Sequence, residues 1–154
     1  MRARILQFTL LFLLMSTVSC LASQKPVTNT PAPSAGSPVS LVGTEWLLVD
    51  LAGAPVIANS KASLSFLEEG RIAGNGSCNR FMGGVTIAGD SLKFGPLASS
   101  QMACGEDGVS AQENQYLKLL GAAKRFELKD GVLLIYSEGS KKPLRFSRQT
   151  TAKP

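Results

Sequence analysis

An eleven-residue segment, residues 74–84, constrains the fold more than any other part of this chain. It contains four glycines, one cysteine and an adjacent asparagine–arginine pair, and it lies between two runs that alternate like β-strands. Glycine lets the backbone turn tightly or approach a neighbour closely. Only one other cysteine, Cys104, lies in the part of the chain that we expect to fold. We therefore predict that the fold is organised around the meeting of the segments that contain Cys78 and Cys104.

The first residues have the pattern of a secretory signal peptide. Residues 1–4 are basic, residues 5–15 are almost wholly apolar, and residues 16–20 are small and end in a cysteine. The apolar run is too short for a typical membrane-spanning helix, and its flanks are those of a cleaved signal. A retained membrane-anchor helix is the alternative. We predict a signal peptide over residues 1–19.

Cys20 follows a small residue at the end of the apolar run, and this arrangement resembles a bacterial lipobox. There the thiol is lipidated and the chain is cut in front of the cysteine, and lipid chains contribute about 0.8 kcal/mol per buried methylene to membrane attachment. We predict an outer-membrane lipoprotein that faces the periplasm. Thr17 stands where a leucine is usual. Ordinary cleavage near Ser19 or Ala22, giving a soluble periplasmic or secreted protein, is therefore the alternative.

The remaining chain divides into a tether, one domain and a tail. Residues 20–40 carry four prolines among small polar residues and predict a flexible, lipid-anchored tether. We expect the folded domain at residues 41–148 and a tail at 149–154. Loss of the signal lowers the formal charge from +5 to +3, because 14 basic residues then face 11 acidic ones. The surplus is scattered, so we expect no nucleic-acid partner.

Alternation of apolar and polar residues predicts antiparallel strands with one solvent-facing side, as in residues 62–66, 85–87 and 92–94. Residues 107–122 change to a helical period, and strands resume from residue 126. The fold class is therefore α+β and mainly antiparallel β. We predict a compact barrel-like sheet of about seven or eight strands, with one helix inserted before the last three strands.

The predicted helix has one apolar face. It is formed by Val109, Tyr116, Leu117 and Leu120. Three polar residues are expected largely on other faces: Gln112, Glu113 and Lys118.

Several kinds of catalytic site are excluded by the absence of histidine from the chain. Ser-His-Asp and Cys-His arrangements and most zinc sites require it. The acidic pair Glu68–Glu69 falls in a predicted turn, and Glu106–Asp107 falls at a predicted helix start, where acidic side chains are structurally favoured. We predict no enzyme activity, no metal and no cofactor.

Cys78 and Cys104 remain once Cys20 is assigned to the anchor. Disulfides form and persist in exported domains, so we predict that these two cysteines are joined. Two buried free thiols are the alternative.

The polar residues Asn79, Arg80 and Gln101 are the candidate binding residues of this region. In one interpretation, a loop held at Cys78 presents them to a partner. In the other, which we favour, Asn79 satisfies backbone amides of the loop, Arg80 is solvated and Phe81 packs in the core.

Five segments in a fixed order resemble the META (HslJ-like) domain family. They are GTEWLL at 43–48, IAGNGSCNRF at 72–81, LKFGPLASSQMAC at 92–104, ENQYL at 113–117 and LL at 133–134. The resemblance covers about residues 41–148. It implies a barrel-like α+β fold, no established catalytic activity, and a link to heat shock, stress or drug tolerance in the bacterial envelope. The family often has Ser-Thr-Arg before Met-Ala-Cys, whereas residues 99–101 here are Ser-Ser-Gln.

The leading functional hypothesis is a non-catalytic lipoprotein module of the cell envelope that binds or stabilises an envelope protein whose identity the sequence does not give. The alternative is a carrier that holds an acyl chain or other apolar ligand inside the barrel. A carrier needs an open apolar cavity. A core filled by aromatic side chains would argue against it, the candidates being Trp46, Phe66, Phe94, Phe126 and Phe146. A hydrolase ranks third.

Overall fold

The computed structural model describes residues 40–105 and 107–150. The predicted signal peptide, Cys20, almost all of the predicted tether, Glu106 and the last four residues lie outside this part. The described chain forms the following elements in order: β1 Thr44–Leu51, β2 Ala54–Pro55, β3 Ser63–Glu68, β4 Arg71–Asn75, β5 Arg80–Ala88, β6 Ser91–Ser99, α1 Val109–Gly121, β7 Ala123–Lys129, β8 Val132–Ser137 and β9 Leu144–Gln149.

Eight of the strands close into a barrel. Neighbouring strands pair in the order β1-β3-β4-β5-β6-β7-β8-β9, and β9 pairs again with β1. Every pair is antiparallel, and the two-residue β2 pairs with the end of β1. Closure removes the unpaired edges that would otherwise expose backbone groups. The fold class predicted from the sequence is confirmed, including the position of the helix before the last three strands.

Local sequence explains most of these elements. In β1, the alternating residues Thr44, Trp46 and Leu48 are buried, and β8 shows the same alternation. The turn between β7 and β8 consists of Asp130 and Gly131, which adopt φ values of 51° and 75°. Two consecutive positive φ angles are the geometry of the two-residue hairpin turn that the Asp-Gly pair indicates.

The barrel interior is filled by large side chains. Trp46, Phe66, Phe126 and Phe146 are all buried in one apolar core, and Phe94 packs against it partly exposed. Leucine and isoleucine residues from the other strands complete the cluster. The carrier hypothesis requires an open cavity inside the barrel. Aromatic side chains occupy that space.

Helix α1 lies across one end of the barrel. The buried ring of Tyr116 lies 5.9 Å from that of Phe81 and 6.1 Å from that of Phe146. The Tyr116 hydroxyl donates a hydrogen bond of 3.1 Å to the backbone carbonyl of Ser63, and burial raises the pKa of this tyrosine well above its ordinary value. The helix is therefore anchored in the core by Tyr116, whose ring packs against other aromatic rings and whose hydroxyl is hydrogen-bonded.

The buried face of the helix differs from the sequence expectation at two positions. Gln112 and Glu113 are buried together with Val109, Tyr116 and Leu120. Their side chains turn into the end of the barrel, where they meet backbone and hydroxyl groups of the connecting segments. The expectation that Gln112 and Glu113 lie largely on other faces was wrong, because non-local hydrogen bonds make burial of polar side chains favourable here. In the described residues, no helix is long and apolar enough to span a membrane.

Candidate functional site

The glycine-rich segment is mostly strand. β4 continues through Gly74 to Asn75, and β5 begins at Arg80, so that only residues 76–79 form a connection. The backbone N–H of Gly76 donates to the carbonyl of Asn79 over 2.7 Å, and the Asn75 side chain accepts from the N–H of Ser77 over 2.7 Å. The alternation of apolar and polar residues predicts strands on both sides of this segment but not within it. The structure replaces the expected loop by one tight turn.

A disulfide bond joins this turn to the connection between β6 and α1. Cys78 and Cys104 are bonded, with 5.9 Å between their Cα atoms and a sequence separation of 26. Both cysteines are partly exposed at the end of the barrel. The segments that contain the two cysteines therefore meet beside helix α1.

Asn79 ties the same two segments together beneath the disulfide. Its side-chain oxygen accepts a hydrogen bond of 2.7 Å from the backbone N–H of Met102 and one of 2.9 Å from the hydroxyl of Ser100. Its side-chain nitrogen donates to Glu113 over 2.8 Å. Only 6% of Asn79 is exposed. Its position therefore fits the interpretation in which it satisfies loop amides, whereas Arg80 and Gln101 are both exposed.

Glu113 is the centre of the buried polar cluster. One carboxylate oxygen accepts from the backbone N–H groups of Asn79, at 2.8 Å, and Cys78, at 3.3 Å. The other oxygen accepts from the Asn79 side chain. A carboxylate with three N–H donors is satisfied without a cation. Glu113 was not among the site residues expected from the sequence, although it lies four residues after Val109 and three before Tyr116, which places it on the buried face.

Gln112 connects a third segment to this cluster. Its side-chain oxygen accepts from the backbone N–H of Ile57 over 2.7 Å. Its side-chain nitrogen donates to the hydroxyls of Ser60, at 2.9 Å, and Ser77, at 3.0 Å, and these hydroxyls lie 2.7 Å from each other. The helix therefore fixes the connection between β2 and β3 as well as the turn at residues 76–79.

This end of the barrel consists of a buried hydrogen-bonded cluster, which we call the frame, and of exposed residues around it. The polar atoms of Asn79, Gln112 and Glu113 are engaged in holding backbone segments, as the hydrogen bonds above describe. No group of three or more potential metal ligands occurs among residues 40–105 and 107–150. Outside the frame, Arg80 and Gln101 are exposed, and 59% of Met102 is exposed. We call these three residues the rim.

The two acidic pairs noted in the sequence lie away from this cluster or at its margin. Glu68 pairs with Arg71 over 2.8 Å across the turn between β3 and β4, and Glu69 is exposed beside it. Asp107 is exposed before the helix, and its neighbour Glu106 lies outside the described residues. The structure does not bring Glu68 or Glu69 together with the rim.

Loss of the disulfide should destabilise the domain without changing its fold. The variant in which Cys78 and Cys104 are both replaced by alanine should lose about 3 kcal/mol of unfolding free energy, because the bridge closes a loop of moderate length in the unfolded chain. Urea unfolding measures this loss, and dithiothreitol should lower the stability of the wild type by a similar amount. Thiol alkylation without reductant should modify neither cysteine in the wild type. Ready modification of both would contradict the bridge.

A sequence profile of the META domain matches residues 39–151 of the chain. Among solved structures, an NMR structure of a protein shares 25% identity and a TM-score of 0.59, covering 72% of this chain and 93% of that one. An NMR structure of a protein from Burkholderia xenovorans shares 22% identity and a TM-score of 0.58, covering 78% and 97%. The crystal structure of a DUF4847 family protein from Bacteroides vulgatus ATCC 8482 shares 15% identity and a TM-score of 0.50, covering 69% and 94%.

The last two similarities lie below 25% identity and show a common fold. No curated protein matches the chain. The profile match extends over more than half of the sequence, and it includes every strand and the helix described above. The chain therefore belongs to the META domain family.

Proposed function

We propose that this protein is a non-catalytic module of the bacterial cell envelope, which binds or stabilises an envelope protein through the rim. The observation that carries the proposal is that, at this end of the barrel, buried polar residues hold the backbone while other residues of the same segments are exposed. The buried residues Asn79 and Glu113 hold the backbone, and Arg80 and Met102 face solvent on that fixed support. The role in stress or envelope integrity rests on what the family resemblance implies.

A rigid rim favours binding for a physical reason. Ordering a flexible loop on association costs free energy, and a segment already fixed in its bound conformation avoids that cost. The rim is held by the disulfide and by the hydrogen bonds that the Ser100 hydroxyl and the Met102 backbone N–H donate to the Asn79 side-chain oxygen. Arginine is enriched among residues that dominate interfaces, and methionine adapts its shape to apolar partners. Arg80 and Met102 are therefore the residues that we expect to contribute most.

The membrane attachment in this proposal is supported by the sequence of residues 1–20. Their basic, apolar and small stretches end in Cys20, which would become the lipidated first residue. The bond between Cys78 and Cys104 fits an oxidising compartment such as the periplasm. A tether of about 20 residues would span roughly 25 Å and would keep the domain clear of the membrane surface.

One experiment in cells tests both parts of the proposal. A photo-crosslinking amino acid is placed at Gln101 and, as a matched control, at the exposed Lys93 on β6. We expect an envelope protein to be crosslinked from position 101 and not from position 93, with the yield reduced about tenfold by Arg80→Ala. In the same cells, palmitate should label the wild type and not Cys20→Ser.

The two readouts fail independently. Equal palmitate labelling of the wild type and the Cys20→Ser variant would contradict lipidation and leave the binding surface intact. Equal crosslinking from positions 101 and 93, or a yield unaffected by both Arg80→Ala and Met102→Ala, would contradict the rim as a binding surface.

A further inference from the structure

A groove with a volume of about 550 Å³ opens at the end of the barrel opposite α1. One wall is formed by Leu41 and Val42, which precede β1, and the other by Val85 and Ile87 near the end of β5. Phe66 of β3 lies between them. The volume falls within the range typical of sites for small molecules, which are mostly apolar with few polar groups.

The two walls present apolar surface to each other across the groove. Val42 is 47% exposed and Ile87 is 37% exposed. Leu41 and Phe66 are buried at the base of the groove. Isolated exposed apolar residues are common on protein surfaces, but apolar residues that line one concave site are typical of ligand binding. The groove therefore offers apolar surface that the barrel core does not use.

Backbone hydrogen bonds fix both walls. The N–H of Gly43 donates to the carbonyl of Phe66 over 2.7 Å, and that of Thr44 donates to the carbonyl of Leu41 over 3.2 Å. On the opposite wall, the N–H of Val85 donates to the carbonyl of Gly70 over 3.0 Å. The groove is thus formed before a ligand arrives, which lowers the cost of binding.

The mouth of the groove is acidic. Glu68 and Glu69 line it, and no lysine or arginine from residues 40–105 or 107–150 does. Arg71 pairs with Glu68 over 2.8 Å, so that this carboxylate is compensated. Within residues 40–105 and 107–150, no basic side chain makes a salt bridge with Glu69. Within the described residues, the apolar groove therefore ends beside one carboxylate, that of Glu69, that makes no salt bridge.

We propose that this groove binds a cationic amphiphile, that is, a small molecule with one apolar chain or ring system and an ammonium or guanidinium group. The apolar part lies between Val42 and Ile87, and the cation lies against Glu69. Opposite charge at the mouth of the groove selects this class over anionic amphiphiles of the same chain length, which the Glu69 carboxylate repels. The site lies at the other end of the barrel from the protein-binding rim and is independent of it.

The test is an NMR titration of the ¹⁵N-labelled mature chain with Cys20→Ser. The probes are dodecyltrimethylammonium and dodecyl sulfate, both below their micelle concentrations, and dodecyl maltoside as the neutral control. We expect saturable shifts of the amide signals of Val42, Val85 and Ile87 with the cation, and at least about tenfold weaker binding of the anion. The neutral probe should lie between them.

Two variants and one control separate the apolar contribution from the charge. Glu69→Gln should weaken binding of the cation about three- to fivefold and leave that of the neutral probe unchanged, as expected for an exposed ion pair. Ile87→Ser should weaken both. Met82→Ser, at a β5 residue that is 61% exposed and outside the groove, should weaken neither.

Four results would overturn the proposal. Equal affinity for cation and anion, or a cation preference that survives Glu69→Gln, would refute recognition of the cation by Glu69. Absence of shifts at the groove would refute the site. Groove signals that shift with protein concentration alone would show that the surface is a contact between copies of the chain.

Discussion

Replacing Glu113 by leucine is expected to lower the free energy of unfolding by about 4 kcal/mol. The leucine removes the acceptor for the N–H groups of Asn79 and Cys78 and for the Asn79 side chain, and these donors stay buried or partly buried. An unsatisfied buried donor costs about 1–3 kcal/mol, and loss of a charged acceptor lies at the upper end of that range. Urea unfolding with the disulfide intact measures the effect.

Two further substitutions on the same helix give the experiment its controls. Glu113→Gln keeps one side-chain oxygen as an acceptor and places an amide group opposite a donor, so that we expect a loss of about 2 kcal/mol. Gln115→Ala changes an exposed residue on the same helix and should alter stability by less than about 0.5 kcal/mol. A loss below about 1 kcal/mol for Glu113→Leu would show that water replaces the carboxylate and that the cluster does not hold the turn.

The contribution of Glu113 explains how one barrel end can be both polar and rigid. Its partners on the turn at residues 76–79 are 34 and 35 residues away in sequence, and Asn79 extends the connection to Met102, 23 residues away. Each bond therefore closes a long section of chain. With the disulfide beside them, these bonds hold the rim in one conformation, which is the property that the proposed binding function requires.

Much of the fold follows from local pattern. Alternation in residues 62–66, 85–87 and 92–94, the Asp130–Gly131 turn and the change of period at α1 predict strands, one hairpin and the helix, and the closed antiparallel barrel agrees with them. These features depend on residues close to each other in sequence. Local pattern carries this information because burial on one face imposes a period of 2 on strands and about 3.6 on helices.

The candidate site was less predictable because its contacts are non-local. Polar and charged side chains are usually solvent-exposed, so the sequence pattern assigns Gln112 and Glu113 to other faces of the helix. Their spacing from Val109 and Tyr116 places them on the buried face, but only the distant turn and the Ile57 segment make that burial favourable. Similarly, alternation could not show strand continuing through glycines at residues 74 and 83–84, since glycine has no side chain to alternate.

Replacing Gly74 by alanine should cost about 3 kcal/mol of unfolding free energy, at the upper end of what overpacking usually costs. Gly74 lies in β4 opposite Phe81 of β5, and an added Cβ would overlap the backbone carbonyl of Ser63 and the Phe81 ring. The carbonyl belongs to a paired strand and cannot move without disturbing the sheet. Urea unfolding of Gly74→Ala, compared with the wild type, measures the cost.

Gly84 provides the matched control within the same segment. A Cβ there would have Gly70 O as its nearest neighbour at 3.8 Å, an ordinary contact, so Gly84→Ala should change stability by less than about 1 kcal/mol. Gly76→Ala should resemble Gly74→Ala, because its Cβ would overlap the Glu113 side chain. Equal stability of the Gly74→Ala and Gly84→Ala variants would mean that the close approach of Gly74 to Ser63 and Phe81 is not required. A large loss for Gly74→Ala and a small one for Gly84→Ala would mean that β4 needs a glycine at this position because a neighbouring strand approaches it closely.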